Sequence, residues 1–380
     1  MSVEAYSLRV PPAVPFLDLA PSHAGLKAAI LADIGALIDS GAFTNGPHVA
    51  QFEGAFAEFC GREHCVGVAS GLDALRLALL AAGLEPGDEV IVPAATFLAT
   101  FEAVTQAGGV PVVADASALD DGLDATAAQA AITDRTRFLM PVHLYGQLAD
   151  MAALDRVAAR HGIAIVEDAC QAHGAERDGR RAGAVGLASA FSFYPAKNLG
   201  AMGDAGALVC DDAGLAAVVR ALREHGQTEK YRHARIGYTS RLDTIQALVL
   251  SHKLPLLVGW NAERRAAAAR YDAALAGVGD LVLPPVPAGS DPVWHLYVVR
   301  TPRRDKLAAF LRDHGVATGL HYPEPPHLSA AYAHLGYGRG SFPVAERLAA
   351  EALSLPMFPG IREDQLETVV EMVTAFFRRG

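Results

Sequence analysis

Ile163-Ala164-Ile165-Val166-Glu167-Asp168 and, further on, Ala188-Ser189-Ala190-Phe191-Ser192-Phe193-Tyr194-Pro195-Ala196-Lys197 are two apolar runs that each end in polar residues. Runs of this length, rich in Val, Ile and Phe and without polar alternation, read as strands buried on both faces. Five more lie at Val66-Gly67-Val68-Ala69, at residues 89–93, 110–114 and 137–142, and at 206–210. Helical patterns separate most of them, among them one over residues 72–82. Seven strands with intervening helices predict an α/β fold around a large, mostly parallel sheet covered on both sides. In such sheets ligands bind beyond the carboxyl ends of the strands. Ser70, Thr96, His143, Asp168 and Lys197 all fall at such ends.

The rest of the chain frames this sheet. A short polar start leads into Val14-Pro15-Phe16-Leu17-Asp18-Leu19, an extended entry, and a helical region to about Ser40. Phe43-Thr44-Asn45-Gly46-Pro47 is a turn, and the helix after it carries Phe52, Phe56 and Phe59 on one face. From Pro255 to about Tyr271 a long linking helix follows. Beyond it the pattern is strand (294–300), helix (303–313), strand (316–322) and a last helix from Glu363. The reading is two domains, 1–255 with an N-terminal arm and 256–380 as a smaller C-terminal α/β domain.

At 380 residues, half of them hydrophobic and 19% charged, the chain has room for a large buried core and an ordinary globular balance. Its net charge of -10 and lack of a basic run argue against a nucleic-acid surface. The four cysteines, Cys60, Cys65, Cys170 and Cys210, form no CxxC and no metal-ligand spacing. They read as reduced thiols of a cytoplasmic protein. No signal peptide or membrane span is expected, and no metal.

Lys197 and Asp168 are the two residues whose pairing carries chemistry. A lone lysine at a strand end is often only a solvated charge. Here aromatic residues precede it, and Gly200, Gly203 and Gly206 follow, which permits close approach of a ligand. A carboxylate ends a neighbouring strand. Together they could anchor pyridoxal phosphate, the lysine holding the aldehyde and the aspartate the ring nitrogen. By itself Asp168 could equally be a cap or a metal ligand. Gln171, three residues on, could reach the ring hydroxyl or cap a helix. Ser70-Gly71 before a helix offers free N–H groups to a phosphate, or is an ordinary cap. Ser192 could add a hydroxyl. Phe97 could stack on the ring or lie in the core. His143 could line the site or be a hydrogen-bonded structural histidine.

Taken together the segments resemble the DegT/DnrJ/EryC1/StrS family of nucleotide-sugar aminotransferases. The matching pieces are Phe43 to Pro47, Ser70-Gly71-Leu72-Asp73-Ala74-Leu75, Pro141-Val142-His143-Leu144-Tyr145-Gly146-Gln147, Val166 to Gly174, Phe191 to Gly200, Ser240-Arg241-Leu242-Asp243, His321-Tyr322-Pro323 and Leu353-Ser354-Leu355-Pro356. The resemblance implies the aspartate-aminotransferase-like architecture of fold type I and pyridoxal phosphate as cofactor. It also implies a homodimer with active sites shared across the interface. On the matching positions Lys197 would bond the cofactor, Asp168 and Gln171 would hold its ring, Phe97 would stack on it, and Gly71, Leu72 and Ser192 would bind its phosphate. Asn45, His143, Tyr194, Arg241, His321, Tyr322 and His327 would line the substrate side, with the Ser240-Arg241 segment reaching in from the other subunit. Thr239 stands where relatives usually carry an asparagine that reaches the neighbouring cofactor phosphate. Its shorter hydroxyl puts that contact in doubt.

Some relatives carry histidine in place of Lys197 and dehydrate the sugar, so lysine favours amino transfer. The motifs around His143 and His321 are most similar to enzymes acting on dTDP-linked 3-keto-6-deoxyhexoses, with L-glutamate as donor. Amination at C4 of a 4-keto nucleotide sugar, or of a keto-cyclitol, are the alternatives. A non-catalytic carbohydrate-binding protein is disfavoured by the convergence of lysine, carboxylate and anion-binding helix start.

Overall fold

The computed structural model describes residues 13–378, so the polar start before Val14 lies almost wholly outside the described residues. The seven expected strands form one sheet. Its order is His64–Val68, Gly206–Cys210, Ala188–Ser192, Ala164–Asp168, Thr136–Leu139, Glu89–Pro93 and Val110–Ala114. Neighbours pair in parallel except at Gly206–Cys210, which is antiparallel to both strands beside it. The reason lies in the connection. The other strands are joined through crossovers long enough to return the chain to its starting edge. The glycine-dense loop after Lys197 holds no helix and simply turns the chain back.

Alternation along each strand divides the side chains between two cores. Val90 and Val92 face one side with Leu208, while Ile91 faces the other with Leu139 and Ile165. Helix Gly71–Ala81 covers the first side, packing on Ala188–Ser192 and Gly206–Cys210. Helices Pro47–Cys60 and Thr244–Lys253 close part of the second. There Phe52 and Phe56 are fully buried, and Phe56 meets the edges of Phe191 and Phe193 at ring distances of 5.0 Å each.

A further core forms around Tyr271, Tyr297, Leu307, Leu311, Leu353, Val369 and Val373, and takes in Val14 from the N-terminal arm. The linking helix is Leu257–Leu275, after a short turn over Leu254–Leu256. The expected strand over residues 316–322 does not form. Val316 bridges Val14 and Gly319 bridges Ser354, so the segment crosses from one partner to another instead of running along either. The strand that pairs with Tyr297–Arg300 is Ala352–Leu355, delivered antiparallel by helix Pro343–Glu351. Among the described residues no helix is long and apolar enough to cross a membrane.

Truncating Phe56 leaves a hole where four aromatic rings meet. Phe56→Ala is expected to cost about 3–5 kcal/mol. A urea unfolding curve with an unshifted midpoint would refute the packing described.

Candidate active site

A cavity of about 480 Å³ opens beyond the carboxyl ends of the parallel strands. Asp168 ends one strand and Ser192 ends the next, while Gly71 opens the helix that follows His64–Val68. These elements approach to backbone contact. A Cβ placed on Gly71 would lie 2.6 Å from Cys170 Sγ and 2.8 Å from Ser192 Cβ. One on Gly206 would lie 2.3 Å from the Ser70 carbonyl carbon. Glycine is required at both positions for steric reasons.

Ser70 caps the helix by accepting from the Asp73 N–H at 3.1 Å. The Gly71 and Leu72 N–H groups precede the first intrahelical bond, and both residues line the cavity. That is an anion cradle. The Ser192 hydroxyl stands beside it.

Asp168 is buried, and both of its oxygens are positioned. Oδ2 accepts from Thr100 Oγ1 at 2.8 Å, and Oδ1 from the Cys170 N–H at 3.2 Å. Thr100 is in turn 2.7 Å from the Thr96 hydroxyl. Gln171 accepts from the Tyr145 N–H at 2.8 Å and donates to the Tyr322 hydroxyl at 3.1 Å. One N–H of its amide remains to donate. Phe97 is half exposed over the cavity, its ring 5.1 Å from that of Tyr322.

Lys197 hangs from a turn closed by its own N–H on the Tyr194 carbonyl at 2.8 Å. Among the described residues its amine makes no hydrogen bond or ion pair. Burial pushes the amine below the usual lysine value, and Cys170 and Asp168 resist that shift. A partly dry, unpaired amine is the state a carbonyl-trapping lysine needs. The set of free amine, positioned carboxylate and helix-start donors matches the three ends of pyridoxal phosphate.

The cavity therefore gathers Gly71, Leu72, Phe97, Asp168, Gln171, Ser192, Tyr194, Lys197, His321 and Tyr322. Five expected site residues stand outside it. His143 is fully buried, 2.8 Å from Glu167 through Nε2, with Nδ1 accepting from the Ala149 N–H at 3.3 Å. Both ring nitrogens are occupied within this chain, and the ring does not reach the cavity. His327 also stands outside the cavity, with its Nδ1 buried and without a hydrogen-bond partner among the described residues. It is 1% exposed, packed on Phe342 and 3.3 Å from Glu346. Asn45 and Arg241 both bind Glu224, and Thr239 pairs with His225 at 3.0 Å. These three stand at the surface away from this chain's own cavity.

Thr100, Cys170 and His295 reach the site without having been expected there. The Thr96 to Thr100 spacing, one helical turn at the start of a helix after a strand, was the available signal for the first.

Three histidines around the lysine are held neutral. Burial, aided by the Lys197 charge, lowers His173 to about 3 and His321 to about 4, and moves His295 well below its ordinary value. In the unfolded chain each titrates near 6.5. Above that pH both states are neutral and stability is at its full value. As pH falls from about 6.5 toward 4 the unfolded chain takes up protons the native state refuses, so stability declines. The melting temperature is expected to fall across that window. His173→Phe, which replaces a ring packed on Phe191 and Phe193, should flatten the decline. An unchanged slope in the variant would count against the assignment.

The model of the DegT/DnrJ/EryC1/StrS aminotransferase family matches residues 25–374. The chain is 48% identical over 368 residues to the dTDP-3-amino-3,4,6-trideoxy-alpha-D-glucose transaminase of Streptomyces venezuelae, with 97% of each chain covered. It superposes on the crystal structure of S. venezuelae DesV in complex with a ketimine intermediate with a TM-score of 0.95, at 48% identity, covering 98% of this chain and 100% of that one. Against NtdA from Bacillus subtilis, solved with bound cofactor PMP, the TM-score is 0.89 at 30% identity, over 98% and 86% of the chains. The fold is the α/β architecture of fold type I, and the chain belongs to the DegT/DnrJ/EryC1/StrS aminotransferase family.

Proposed function

We propose that the protein is a pyridoxal phosphate-dependent aminotransferase that moves an amino group from L-glutamate to the C3 ketone of a dTDP-linked 3-keto-6-deoxyhexose. The observation that carries this is the unpaired Lys197 amine in one cavity with Asp168 and the Gly71-Leu72 helix start. The likeness to a dTDP-3-amino-sugar transaminase supports the nucleotide and the carbon.

When bound, the cofactor supplies an aldehyde that takes up the amino group and a ring that accepts electrons from the neighbouring carbon. The chain's residues do the rest. The Gly71 and Leu72 N–H groups and the Ser192 hydroxyl would hold the phosphate. Asp168, its carboxylate fixed by Thr100 and the Cys170 N–H, would hold a proton on the ring nitrogen. The remaining Gln171 N–H would donate to the ring hydroxyl, and Phe97 would cover one ring face. The Lys197 amine would take the proton from the α-carbon of the donor and, as an ammonium, deliver it to the cofactor carbon that had carried the aldehyde. The same lysine serves both half-reactions.

The surface residues fit a homodimer. Leu31, Ile38 and Phe43 are each more than half exposed, and Ile245 is 40% exposed, near the Asn45, Glu224 and Arg241 cluster. An apolar face of this kind beside a surface polar cluster is suited to a second copy. In that arrangement Thr239 and Arg241 would serve the partner's cavity. Ile38→Glu is expected to shift sedimentation from dimer to monomer. A monomeric parent protein would remove this part of the reading.

The holoenzyme is expected to be yellow and to bleach in the visible with L-glutamate, and Lys197→Ala should lose that response while keeping its circular dichroism. The wider test is amino transfer to a panel of 3-keto and 4-keto dTDP- and UDP-sugars, with the new amine located by NMR. Amination at C4, or no transfer to any nucleotide sugar, would overturn the substrate assignment.

A further inference from the structure

His295 lies in none of the motifs used so far, yet it lines the cavity together with Lys197. Its protonation state can be worked out from its neighbours. Asn198, the residue after Lys197, donates its side-chain amide to the Val293 carbonyl at 2.8 Å and to Asn261 Oδ1 at 2.9 Å. A backbone carbonyl only accepts, so the Asn198 amide nitrogen must face it and the amide oxygen must face away. Asn261 is fixed in the same manner, because its amide nitrogen donates to the His173 carbonyl at 2.8 Å. Both amide orientations are therefore set by carbonyls.

The Asn198 oxygen lies 3.2 Å from His295 Nδ1. An amide oxygen has no hydrogen to give, so the hydrogen in this bond belongs to Nδ1. Burial and the nearby Lys197 and Arg264 charges oppose a second proton on the ring. The remaining nitrogen, Nε2, is then a bare lone pair. It makes no hydrogen bond among the described residues, and it belongs to a ring that forms part of the cavity wall.

We infer that His295 is a substrate-reading residue whose Nε2 accepts a hydrogen bond from a hydroxyl of the keto-sugar. This rests on the sugar-aminotransferase reading above. The chemistry follows from the lone pair. Water or a hydroxyl can satisfy it, whereas an apolar group pressed against it leaves a desolvated acceptor unpaired. A sugar that offers O–H at the matching ring position is favoured, and the same sugar deoxygenated there is refused. The Asn261–Asn198 chain holds the tautomer, so specificity depends on residues that do not touch the substrate.

Two measurements test the inference. The first needs no substrate. In the holoenzyme, ¹⁵N NMR at neutral pH should show His295 neutral with its proton on Nδ1. A proton on Nε2, or a charged ring, overturns the inference whatever the enzyme's substrate proves to be. The second uses keto-sugars the parent enzyme accepts, each paired with analogues deoxygenated at one ring position. The parent should prefer one hydroxylated sugar over its deoxy analogue by about tenfold in kcat/KM, the worth of a neutral hydrogen bond. His295→Phe should erase that preference chiefly through KM, and His295→Gln should restore part of it. An equal loss for both sugars, or a preference that survives in His295→Phe, overturns the inference. If no nucleotide sugar is turned over by the parent, the functional reading fails, and the tautomer measurement still stands as a separate result.

Discussion

The site depends on steric closure between two glycines and their neighbours. Gly206 lies so close to the Ser70 carbonyl, and Gly71 to Cys170 and Ser192, that no larger residue fits at either place. This contact joins the start of helix Gly71–Ala81 to the ends of two adjacent strands. It also explains the antiparallel strand. Gly206–Cys210 begins at the edge where the parallel strands end, so its first residue can pack against the helix start. A helical crossover there would have carried the chain away and left the anion cradle without the Lys197 loop beside it.

Glu167 and Asp168 show how strand geometry assigns different tasks to adjacent acids. Side chains one residue apart face opposite sides of a sheet. Glu167 turns inward, fully buried, and accepts from Ser189 Oγ at 2.6 Å and the Val185 N–H at 2.9 Å while holding His143. Every lone pair is engaged within the protein, which is what a buried carboxylate needs to persist. Asp168 sits at the strand end, where the sheet stops and the cavity begins. Its contacts with Thr100 and the Cys170 N–H fix its orientation and leave acceptor capacity for a ligand.

The same geometry explains what could be read from the sequence. The strands, the helix after Ser70 and the pairing of Lys197 with Asp168 all follow from local pattern plus the rule that ligands bind at strand ends. The residues whose placement differs from expectation lacked a local signal. His143 also ends an apolar run, but its ring is claimed by Glu167, a partner distant in sequence. Residues 316–322 carry a respectable strand pattern, yet the segment passes from a bridge with Val14 to one with Ser354 and runs along neither. Which partners a segment meets in the folded chain cannot be seen in the segment alone. Thr100 and His295 were overlooked because a helix interior and the approach to a strand are not places where motif reading looks for a site.

A lysine and an aspartate in one small cavity would ordinarily neutralise each other, and an ion pair would raise the amine's pKa. The chain prevents this by satisfying Asp168 through Thr100 and backbone, while giving Lys197 no partner among the described residues. The surrounding bases obey the same economy of charge. His173, His295 and His321 are buried deeply enough to stay neutral, so they bring polar atoms without adding positive charge. Had they been lysines or arginines, Asp168 would be screened from any ring nitrogen it faces. Asp168 thus keeps acceptor capacity for a cation bound in the cavity, and the Lys197 amine remains free to react.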